Sequence, residues 1–320
     1  MKEFKHRNAK TIAEAVAILV EYKGQAAVIA GGTDILGVIK SDLVEGYPQA
    51  LVNIKTIPGL DYIKEEGDVL KIGTLTTLAD IASNATVKGG YPALAEAAFR
   101  VAAATLRSMG TIGGNLCQKT RCWYYRYPHE MGGRYNCFRK GGTLCYAPSG
   151  DNRYHAVVGG QICFAIVPAD TALALSALNA TIVTNKRSIS IDDFYIVLGT
   201  ALAPDEIVTE IQVPKPKAGT KQYFYKQAFR KSIDWALVEV GSAITIEGGL
   251  VTSARISLGG VAPMPYRATG AEDFIKGKAI TEAVATTASE AAIATMIPLS
   301  GNAYKLQISK TLVKRAILAT

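Results

Sequence analysis

The chain has 320 residues, of which 49% are hydrophobic and 19% are charged, and its formal net charge is +8. This composition is typical of a globular protein with one large or two ordinary domains. No apolar run is long enough for a membrane span, and the scattered lysines and arginines argue against nucleic-acid binding, leaving an acidic partner or an anionic cofactor.

The first residues lack the apolar core of a signal peptide, so we expect a cytoplasmic protein. An export signal carried by a partner would not be visible in this chain. All five cysteines fall between residues 117 and 163. In a reducing compartment, such a cluster of thiols favours metal or redox chemistry over structural disulfides.

The first hundred residues predict alternating helices and strands. Thr11 and Glu14 form a capping box that begins a helix over residues 11–24, which Lys23 and Gly24 end. Further elements are predicted in chain order: strands at 26–30 and 51–54, a strand, a glycine turn and a helix capped near Thr77 within 69–83, and a helix at 91–106.

Residues 107–163 show no periodicity, which in a compact domain requires a function, disorder or a staple. A strand, a loop, a helix and a strand are predicted within 164–184. Prolines and a glycine among lysines at 213–222 indicate a linker, and we place a domain boundary at about residue 215. Beyond it, the pattern predicts an antiparallel hairpin at 238–261 around Gly248-Gly249, then helices near 281–297 and 303–318.

Two loops with paired glycines are the first candidates for a binding site. One is Ala30-Gly31-Gly32-Thr33-Asp34 and the other is Thr111-Ile112-Gly113-Gly114-Asn115. Paired glycines let backbone amides approach an anion, and the polar side chains add hydrogen bonds. Neither loop has the Rossmann or P-loop pattern. Each alone is also compatible with a tight turn, whereas together they could hold two phosphates of one dinucleotide.

Four motifs carry a resemblance to a known family: "VIAGGTDIL", "TIGGNLCQ", "PADTALALSAL" and "YKQAFRKSIDWALV". In this order and spacing, the chain resembles the FAD-binding (medium) subunit of the xanthine dehydrogenase family of molybdenum hydroxylases over essentially its whole length. The resemblance implies an α+β fold. Residues 1–215 would form a FAD-binding domain of the vanillyl-alcohol-oxidase/p-cresol-methylhydroxylase type with two subdomains. Residues 216–320 would form a carbon monoxide dehydrogenase flavoprotein C-terminal domain.

The resemblance also implies which residues bind FAD. The pyrophosphate segment comprises Ile29, Ala30, Gly31, Gly32, Thr33, Asp34, Ile35 and Leu36. Thr111, Gly114 and Asn115 would contact the second phosphate and ribose, Val101 and Val208 would line the site, Asp170 would lie near the adenosine end, and Lys226 matches the lysine of a Tyr-Lys motif. The family often has His-Pro-Ser-Asp where this chain has Val167-Pro168-Ala169-Asp170. On pattern alone, Asp170 could cap a helix starting near Thr171, and Lys226 could be an exposed edge residue.

An insertion at about residues 118–163 holds Cys122, Cys137, Cys145 and Cys163. No C-x-x-C pair is present, and four thiolates suit zinc or an iron–sulfur cluster. The resemblance favours a [4Fe–4S] cluster, because two family members carry one in this insertion: the 4-hydroxybenzoyl-CoA reductase β subunit and the flavin subunit of the periplasmic aldehyde oxidoreductase. Cys117 is left as a buried thiol, and its exchange with one of the four ligands is the open alternative.

Basic residues of the insertion suit the negative charge of such a cluster: Lys119, Arg121, Arg126, Arg134, Arg139, Lys140 and Arg153. We expect the amides of Gly132-Gly133 and Gly141-Gly142 to donate hydrogen bonds to the sulfurs. His129 and His155 are alternative ligands. Trp123 and the neighbouring tyrosines are expected to pack around the loop.

These assignments predict the flavin subunit of an oxidoreductase complex that transfers electrons. Implied partners are a small subunit with two [2Fe–2S] clusters and a large molybdopterin-binding subunit on which the substrate reacts. Ferredoxin or NAD is the expected external electron partner. We predict no catalytic residue in this chain, because paired carboxylates and a Ser-His-Asp set are missing. A stand-alone flavin oxidase of the same fold and a zinc-stapled binding protein stay open as alternatives.

Overall fold

A small parallel sheet begins the chain. The structure is a computed structural model that describes residues 1–43, 47–127 and 135–320. Strands β1 (Lys5–Asn8), β2 (Ala26–Ile29) and β3 (Ala50–Asn53) pair in the order β1-β3-β2, and helix α1 (Ile12–Glu21) joins β1 to β2. The Thr11 side chain accepts a hydrogen bond from the Glu14 amide, which confirms the predicted start of α1.

The second layer is an antiparallel sheet with strands in the order β4-β5-β10-β6-β7. The strands of this sheet are β4 (Ile63–Glu66), β5 (Val69–Gly73), β6 (Thr181–Thr184), β7 (Ser188–Ser190) and β10 (Val208–Pro214). Strands β8 (Tyr195–Ile196) and β9 (Gly199–Thr200) pair with each other as a separate ribbon. The helices of this part are α2 (Ile35–Lys40), α3 (Leu78–Ser83), α4 (Ala85–Gly90), α5 (Pro92–Arg100), α6 (Ala104–Arg107), α7 (Ile112–Cys117), α8 (Trp123–Arg126), α9 (Asp170–Ala177) and α10 (Ile191–Phe194).

A second antiparallel sheet, β11-β12-β13-β14, carries the C-terminal part of the chain. Its strands are β11 (Thr220–Gln227), β12 (Val238–Glu247), β13 (Leu250–Gly259) and β14 (Tyr266–Arg267). Helices α11 (Thr269–Ile275), α12 (Glu282–Ile293) and α13 (Tyr304–Leu318) share an apolar core with this sheet. Among helices of the described residues, none has both the length and the apolar composition that crossing a bilayer requires.

The predicted hairpin is confirmed by the turn between β12 and β13. Gly248 and Gly249 have φ values of 58° and 80°, so both lie in the left-handed region. A two-residue hairpin turn whose twist matches that of its strands needs positive φ at both positions, which glycine adopts without steric cost.

Helix α9 joins the two halves of the molecule because it is buried along its whole length. It contacts helix α5 and also strands β12 and β13 of the C-terminal sheet. Gly241 makes this packing close, since a Cβ there would lie 3.0 Å from the Leu173 carbonyl oxygen. The sheet therefore rests directly on the backbone of α9.

The helix predicted at 91–106 is interrupted between Arg100 and Ala104, so this prediction is wrong at its C-terminal end. Ala102 has a φ of 46°, and its carbonyl oxygen accepts a hydrogen bond from the Ile233 amide. The Arg107 guanidinium donates to the Val101 carbonyl oxygen at 2.9 Å. Tertiary partners thus bind the carbonyls that a continuous helix would use.

The strand predicted at the start of 164–184 is also wrong, because residues 164–169 form no strand. Their carbonyl and amide groups bond to loops instead: Ala156 donates to Phe164, Thr120 donates to Ile166, and Val167 donates to Ala262. The apolar run is buried among loops, and periodicity alone does not distinguish that environment from a sheet.

Lys305 supplies a test of burial in the C-terminal part. Its ammonium is buried and donates to the Gly260 carbonyl oxygen at 2.5 Å, and burial lowers the pKa of Lys305 to about 7. The unfolded chain keeps this proton to about pH 10.4. Between these values the unfolded state binds more protons, so stability rises with pH.

We expect the unfolding free energy of the wild type, relative to Lys305→Met, to rise by about 1–2 kcal/mol from about pH 7 to about pH 9, measured by thermal unfolding. A difference independent of pH would contradict the burial of a titrating amine.

Candidate cofactor-binding site

The two glycine loops line one cavity of about 300 Å³, which we call the glycine-loop cavity. Helix α7 follows the second loop, and its start is fixed by Thr111, whose side chain accepts a hydrogen bond from the Gly114 amide. The predicted cofactor residues that line this cavity are Ala30, Gly31, Gly32, Thr33, Asp34, Ile35, Thr111, Gly114 and Val208. The structure therefore brings together segments that are far apart in the sequence, while their contacts with FAD stay a prediction.

The glycines allow the loops to approach each other more closely than any side chain would permit. A Cβ at Gly31 would lie 1.9 Å from the Met109 carbonyl oxygen, and one at Gly113 would lie 1.9 Å from Thr74 Oγ1. Gly32 has a φ of 75°. Residues of both loops form the cavity wall. In the second loop the amides of residues 112–115 already donate to Thr74, Thr76 and Thr111, so the first loop is the one that can offer amides to an anion.

Three predicted residues do not line this cavity. Ile29 and Leu36 flank the first loop, and their side chains come within 3.5 Å and 3.2 Å of the position that a Cβ of Gly32 would take. Asn115 is buried, and its side-chain oxygen accepts a hydrogen bond from the Thr171 hydroxyl at 2.6 Å. These three residues support the loop conformation rather than line the cavity.

Val101, Asp170 and Lys226 form a second group outside the glycine-loop cavity. Lys226 Nζ lies 2.6 Å from Asp170 Oδ2 and also donates to the Arg100 carbonyl oxygen, next to Val101. Both charged side chains are at most 5% exposed. The alternative of an exposed Lys226 is therefore wrong. Capping by Asp170 is also wrong, because Ala169 is the N-cap of α9.

Glu239 is a neighbour of this pair that the sequence did not identify. It is 1% exposed, and burial together with the Asp170 charge raises its pKa well above the usual value. Burial and the Asp170 charge therefore favour the protonated form of Glu239 beside the Asp170–Lys226 ion pair. The only sequence signal is a charged residue within the apolar run of β12.

Asp34 connects the first glycine loop to the cysteine-containing insertion. Its carboxylate lies 2.6 Å from Arg121 Nη1 and 2.8 Å from Arg126 Nη2, and it accepts the Lys119 amide at 2.7 Å. Arg121 and Arg126 were predicted only as cations near the cysteines. Their pairing with Asp34 joins residues separated by about 90 positions, which no local pattern indicates.

The four predicted metal ligands line a single small cavity, which we call the cysteine cavity. Cys122, Cys137, Cys145 and Cys163 all contribute to it, and all are free thiols. Cys117 lines the glycine-loop cavity instead, and burial raises the pKa of its thiol to about 11. The geometry therefore separates the four cysteines from the fifth as predicted, while metal binding stays a prediction.

Polar groups lie near two sulfurs of the cysteine cavity. Burial raises the pKa of the Cys122 and Cys137 thiols, and the amides of Tyr124 and Tyr125 near Cys122 and of Arg139 near Cys137 partly offset that rise. His155 Nε2 lies 3.2 Å from the Cys122 sulfur, and burial lowers the pKa of this imidazole to about 4.

The prediction that glycine amides donate hydrogen bonds to the cysteine sulfurs is wrong for Gly141 and Gly142. The Gly141 and Gly142 amides donate to the carbonyl oxygens of Phe138 and Cys137 and not to sulfur, because they close the turn that ends the 3₁₀ helix Phe138–Lys140. Gly132-Gly133, Arg134 and His129 lie outside the described residues.

The thiols do not converge on one point. Within residues 1–43, 47–127 and 135–320, no group of three His, Cys, Asp or Glu side chains is placed to hold a single metal ion. Zinc with four thiolates would need sulfurs about 3.8 Å apart, since each Zn–S bond is about 2.3 Å. A cubane cluster binds each thiolate at a different iron atom and so accepts a wider ring of sulfurs.

Two sequence families match the chain. The family described as FAD binding domain in molybdopterin dehydrogenase matches residues 2–122 and 146–216, and the family described as CO dehydrogenase flavoprotein C-terminal domain matches residues 223–320. These matches confirm the predicted fold classes. The unmatched residues 123–145 contain Cys137 and Cys145, so the first family lacks this part of the insertion.

Characterised relatives are similar over nearly their whole length. The aldehyde oxidoreductase FAD-binding subunit PaoB of Escherichia coli (strain K12) is 34% identical, with 97% of this chain and 96% of that protein covered. The carbon monoxide dehydrogenase medium chain of Hydrogenophaga pseudoflava is 29% identical, with 99% and 96% covered. The solved carbon monoxide dehydrogenase from Hydrogenophaga pseudoflava superposes with a TM-score of 0.80 at 29% identity, covering 99% of this chain and 97% of that one.

Gly31→Ala tests whether the close loop contact forms the flavin site. The added Cβ would collide with the Met109 carbonyl oxygen, so the two loops must separate. We expect FAD content per chain, measured by flavin absorbance, to fall roughly tenfold, the effect of about 1.4 kcal/mol of lost binding free energy. The matched control is Gly37→Ala in α2, where the nearest atom would be 4.0 Å away. Full flavin content in Gly31→Ala would contradict this role of the contact.

Asp34→Asn tests the link between the glycine loop and the insertion. The change weakens the bonds to Arg121 and Arg126, and hydrogen bonds to charged groups contribute about 1.5–3 kcal/mol each. We expect tryptic cleavage after these arginines, followed by mass spectrometry, to accelerate roughly tenfold through local opening. Asp42→Asn is the control, because within the described part of the chain the ion-pair partner of Asp42 is Lys2, which is exposed at the surface. Equal cleavage rates in the two variants would show that Asp34 does not hold the segment.

Proposed function

This chain belongs to the FAD-binding (medium) subunits of the molybdenum hydroxylase family, and from that premise we propose that it holds FAD together with a [4Fe–4S] cluster and transfers electrons between them and its partners. FAD supplies the exchange of electrons in pairs and singly, and the protein positions and tunes it. The family match and the glycine-loop cavity support the flavin part of the proposal.

The chain's own residues have distinct roles in binding FAD. The first glycine loop would offer backbone amides to the pyrophosphate, with Thr33 and Thr111 at the cavity wall. Val208 adds an apolar surface at the same cavity. Asp170 and Lys226, with Val101 beside them, form a buried and internally neutralised group that a ring system could contact without facing an unpaired charge.

The single observation that supports a cluster in this chain is that one cavity is lined by Cys122, Cys137, Cys145 and Cys163. The donor set fits an iron–sulfur cluster: four thiols at one cavity, with Arg139 at its wall. Burial raises the pKa of the Cys122 and Cys137 thiols, and the charge of Lys140, which is 1% exposed, partly offsets that rise at Cys137. The free thiols are therefore favoured in their neutral form, and a bound cluster would supply the positive charge that deprotonates them.

The partners follow from the family. The relatives' names identify them as FAD-binding subunits or medium chains. We propose a small subunit with two [2Fe–2S] clusters and a large molybdopterin-binding subunit, in the cytoplasm, with substrate chemistry on the large subunit. The chain would divide at about residue 215 into its FAD-binding and C-terminal domains. Ferredoxin or NAD would exchange electrons with the complex, and the net charge of +8 favours an acidic carrier protein.

The cysteine variants test this function. Purified without oxygen as the complex with a small subunit that carries two [2Fe–2S] clusters, the wild type should contain FAD with about eight iron and eight sulfide per medium subunit, of which about four each belong to the cluster in this chain. We expect Cys137→Ser to lose iron and ferredoxin-linked turnover but keep FAD, because its sulfur lies at the cysteine cavity. Cys117→Ser, the matched control, should keep its iron. Zinc in place of iron would favour a structural site, and failure to co-purify with larger subunits would favour a stand-alone flavin oxidase.

A further inference from the structure

Two side chains present N–H groups to two different sulfurs of the cysteine cavity. Arg139 Nε lies 3.2 Å from the Cys163 sulfur, and His155 Nε2 lies 3.2 Å from the Cys122 sulfur. Neither contact is used to bind FAD, and neither residue is needed as a ligand if all four cysteines bind the cluster. Each contact has the length of a hydrogen bond to sulfur.

The direction of the Arg139 contact is fixed by the protein. Its Nη1 donates to the Leu198 carbonyl oxygen at 2.8 Å, and its Nη2 donates to the Val197 carbonyl oxygen at 2.6 Å. Both acceptors lie in the turn between β8 and β9. Because the guanidinium is planar and rigid, two anchored nitrogens determine where the Nε–H points. It points at Cys163.

The His155 ring is held in an equally defined orientation. It packs against Trp123 and Tyr124, with ring centroids 5.6 Å and 5.8 Å away. Its Nδ1 is buried and has no hydrogen-bond partner in the described part of the chain. A cluster-bound thiolate has no proton to donate, so with Cys122 as a ligand this hydrogen bond requires the proton on Nε2. That places a second donor against a cysteine sulfur.

We propose that Arg139 and His155 are positioning residues that raise the reduction potential of the cluster through these two hydrogen bonds. The inference rests on the proposed function. Reduction adds one electron, so the core changes from 2+ to 1+ and the charge with four thiolates from −2 to −3. Donors to sulfur, and the Arg139 cation in particular, stabilise the more negative state and therefore favour reduction.

An EPR-monitored redox titration of the whole complex tests the proposal. We expect Arg139→Gln to lower the equilibrium constant for one-electron reduction by dithionite on the order of tenfold, which equals about 59 mV. Arg153→Gln is the matched control: it removes the same charge from the insertion, but Arg153 pairs with Asp151 at the surface. A potential that moves equally in both variants would indicate a general charge effect and overturn the role of the hydrogen bond.

Arg139→Lys separates the effect of the hydrogen bond to Cys163 from the effect of the positive charge. It keeps the positive charge but lacks the fork that anchors to Val197 and Leu198 while donating to Cys163. We expect a shift in the same direction and smaller than that of Arg139→Gln. His155→Phe keeps a ring between Trp123 and Tyr124 and removes the donor, and it should also lower the potential. A wild-type potential in variants with full iron content would overturn the proposal.

A measurement on the wild-type sequence gives a test whose result does not depend on whether a variant folds stably. With ¹⁵N-labelled arginine, the reduced cluster should show a ¹⁵N hyperfine coupling, and labelled histidine should give a second one. Lack of the arginine coupling in a sample with a normal cluster signal would overturn this inference alone. Lack of a [4Fe–4S] signal and of the corresponding four or so iron atoms in the wild-type complex would instead overturn the proposed function.

Discussion

Helix α9 is buried along its whole length and contacts helices of the flavin-binding part and strands of the C-terminal sheet. A helix without a polar face has no stable position except between packed layers. Its first residue, Asp170, brings a charge into that interior, and Lys226 from β11 compensates it at 2.6 Å. The same lysine binds the end of α5 through the Arg100 carbonyl. One packed helix and one ion pair thus fix the C-terminal sheet and the end of α5 relative to each other.

The glycine-loop cavity and the cysteine cavity are held together by two further links. Asp34 of the first glycine loop binds Arg121 and Arg126, which flank Cys122 in the sequence. Arg139 joins Cys163 to the turn between β8 and β9, and Thr200 of β9 lines the glycine-loop cavity. Because both links are charge-assisted and partly shielded from water, they restrain the insertion more than exposed pairs would. The surroundings of the two proposed redox groups therefore behave as one unit.

Some of the site was predictable because its chemistry is local. A glycine permits a close backbone approach where the fold brings another segment near it. Gly31 makes such a contact with Met109, whereas a Cβ on Gly248 or Gly249 would meet no atom of the described residues within 4 Å. The sequence also separated Cys117 from the other cysteines by its place beside Asn115. By contrast, the partners of Asp34 and the donor roles of Arg139 and His155 depend on distances between segments, which residue types do not encode. The predicted hydrogen bonds from the Gly141 and Gly142 amides to sulfur do not form for a related reason, because these amides close the turn at the end of a short helix.

Local sequence signals, namely capping residues and turn glycines, were enough to predict three elements: the capped helix α1, the helix after Thr77 and the hairpin at Gly248-Gly249. Capping and positive φ act between neighbours, so tertiary context does not change them. Tertiary structure decided where the helix after Pro92 ends, because Ile233, Arg107 and Lys226 bind its last carbonyls. It also decided that residues 164–169 form no strand, and that four cysteines spread over the insertion meet at one cavity. These outcomes depend on which distant groups form hydrogen bonds with buried polar atoms, and those partners come together only when the chain folds.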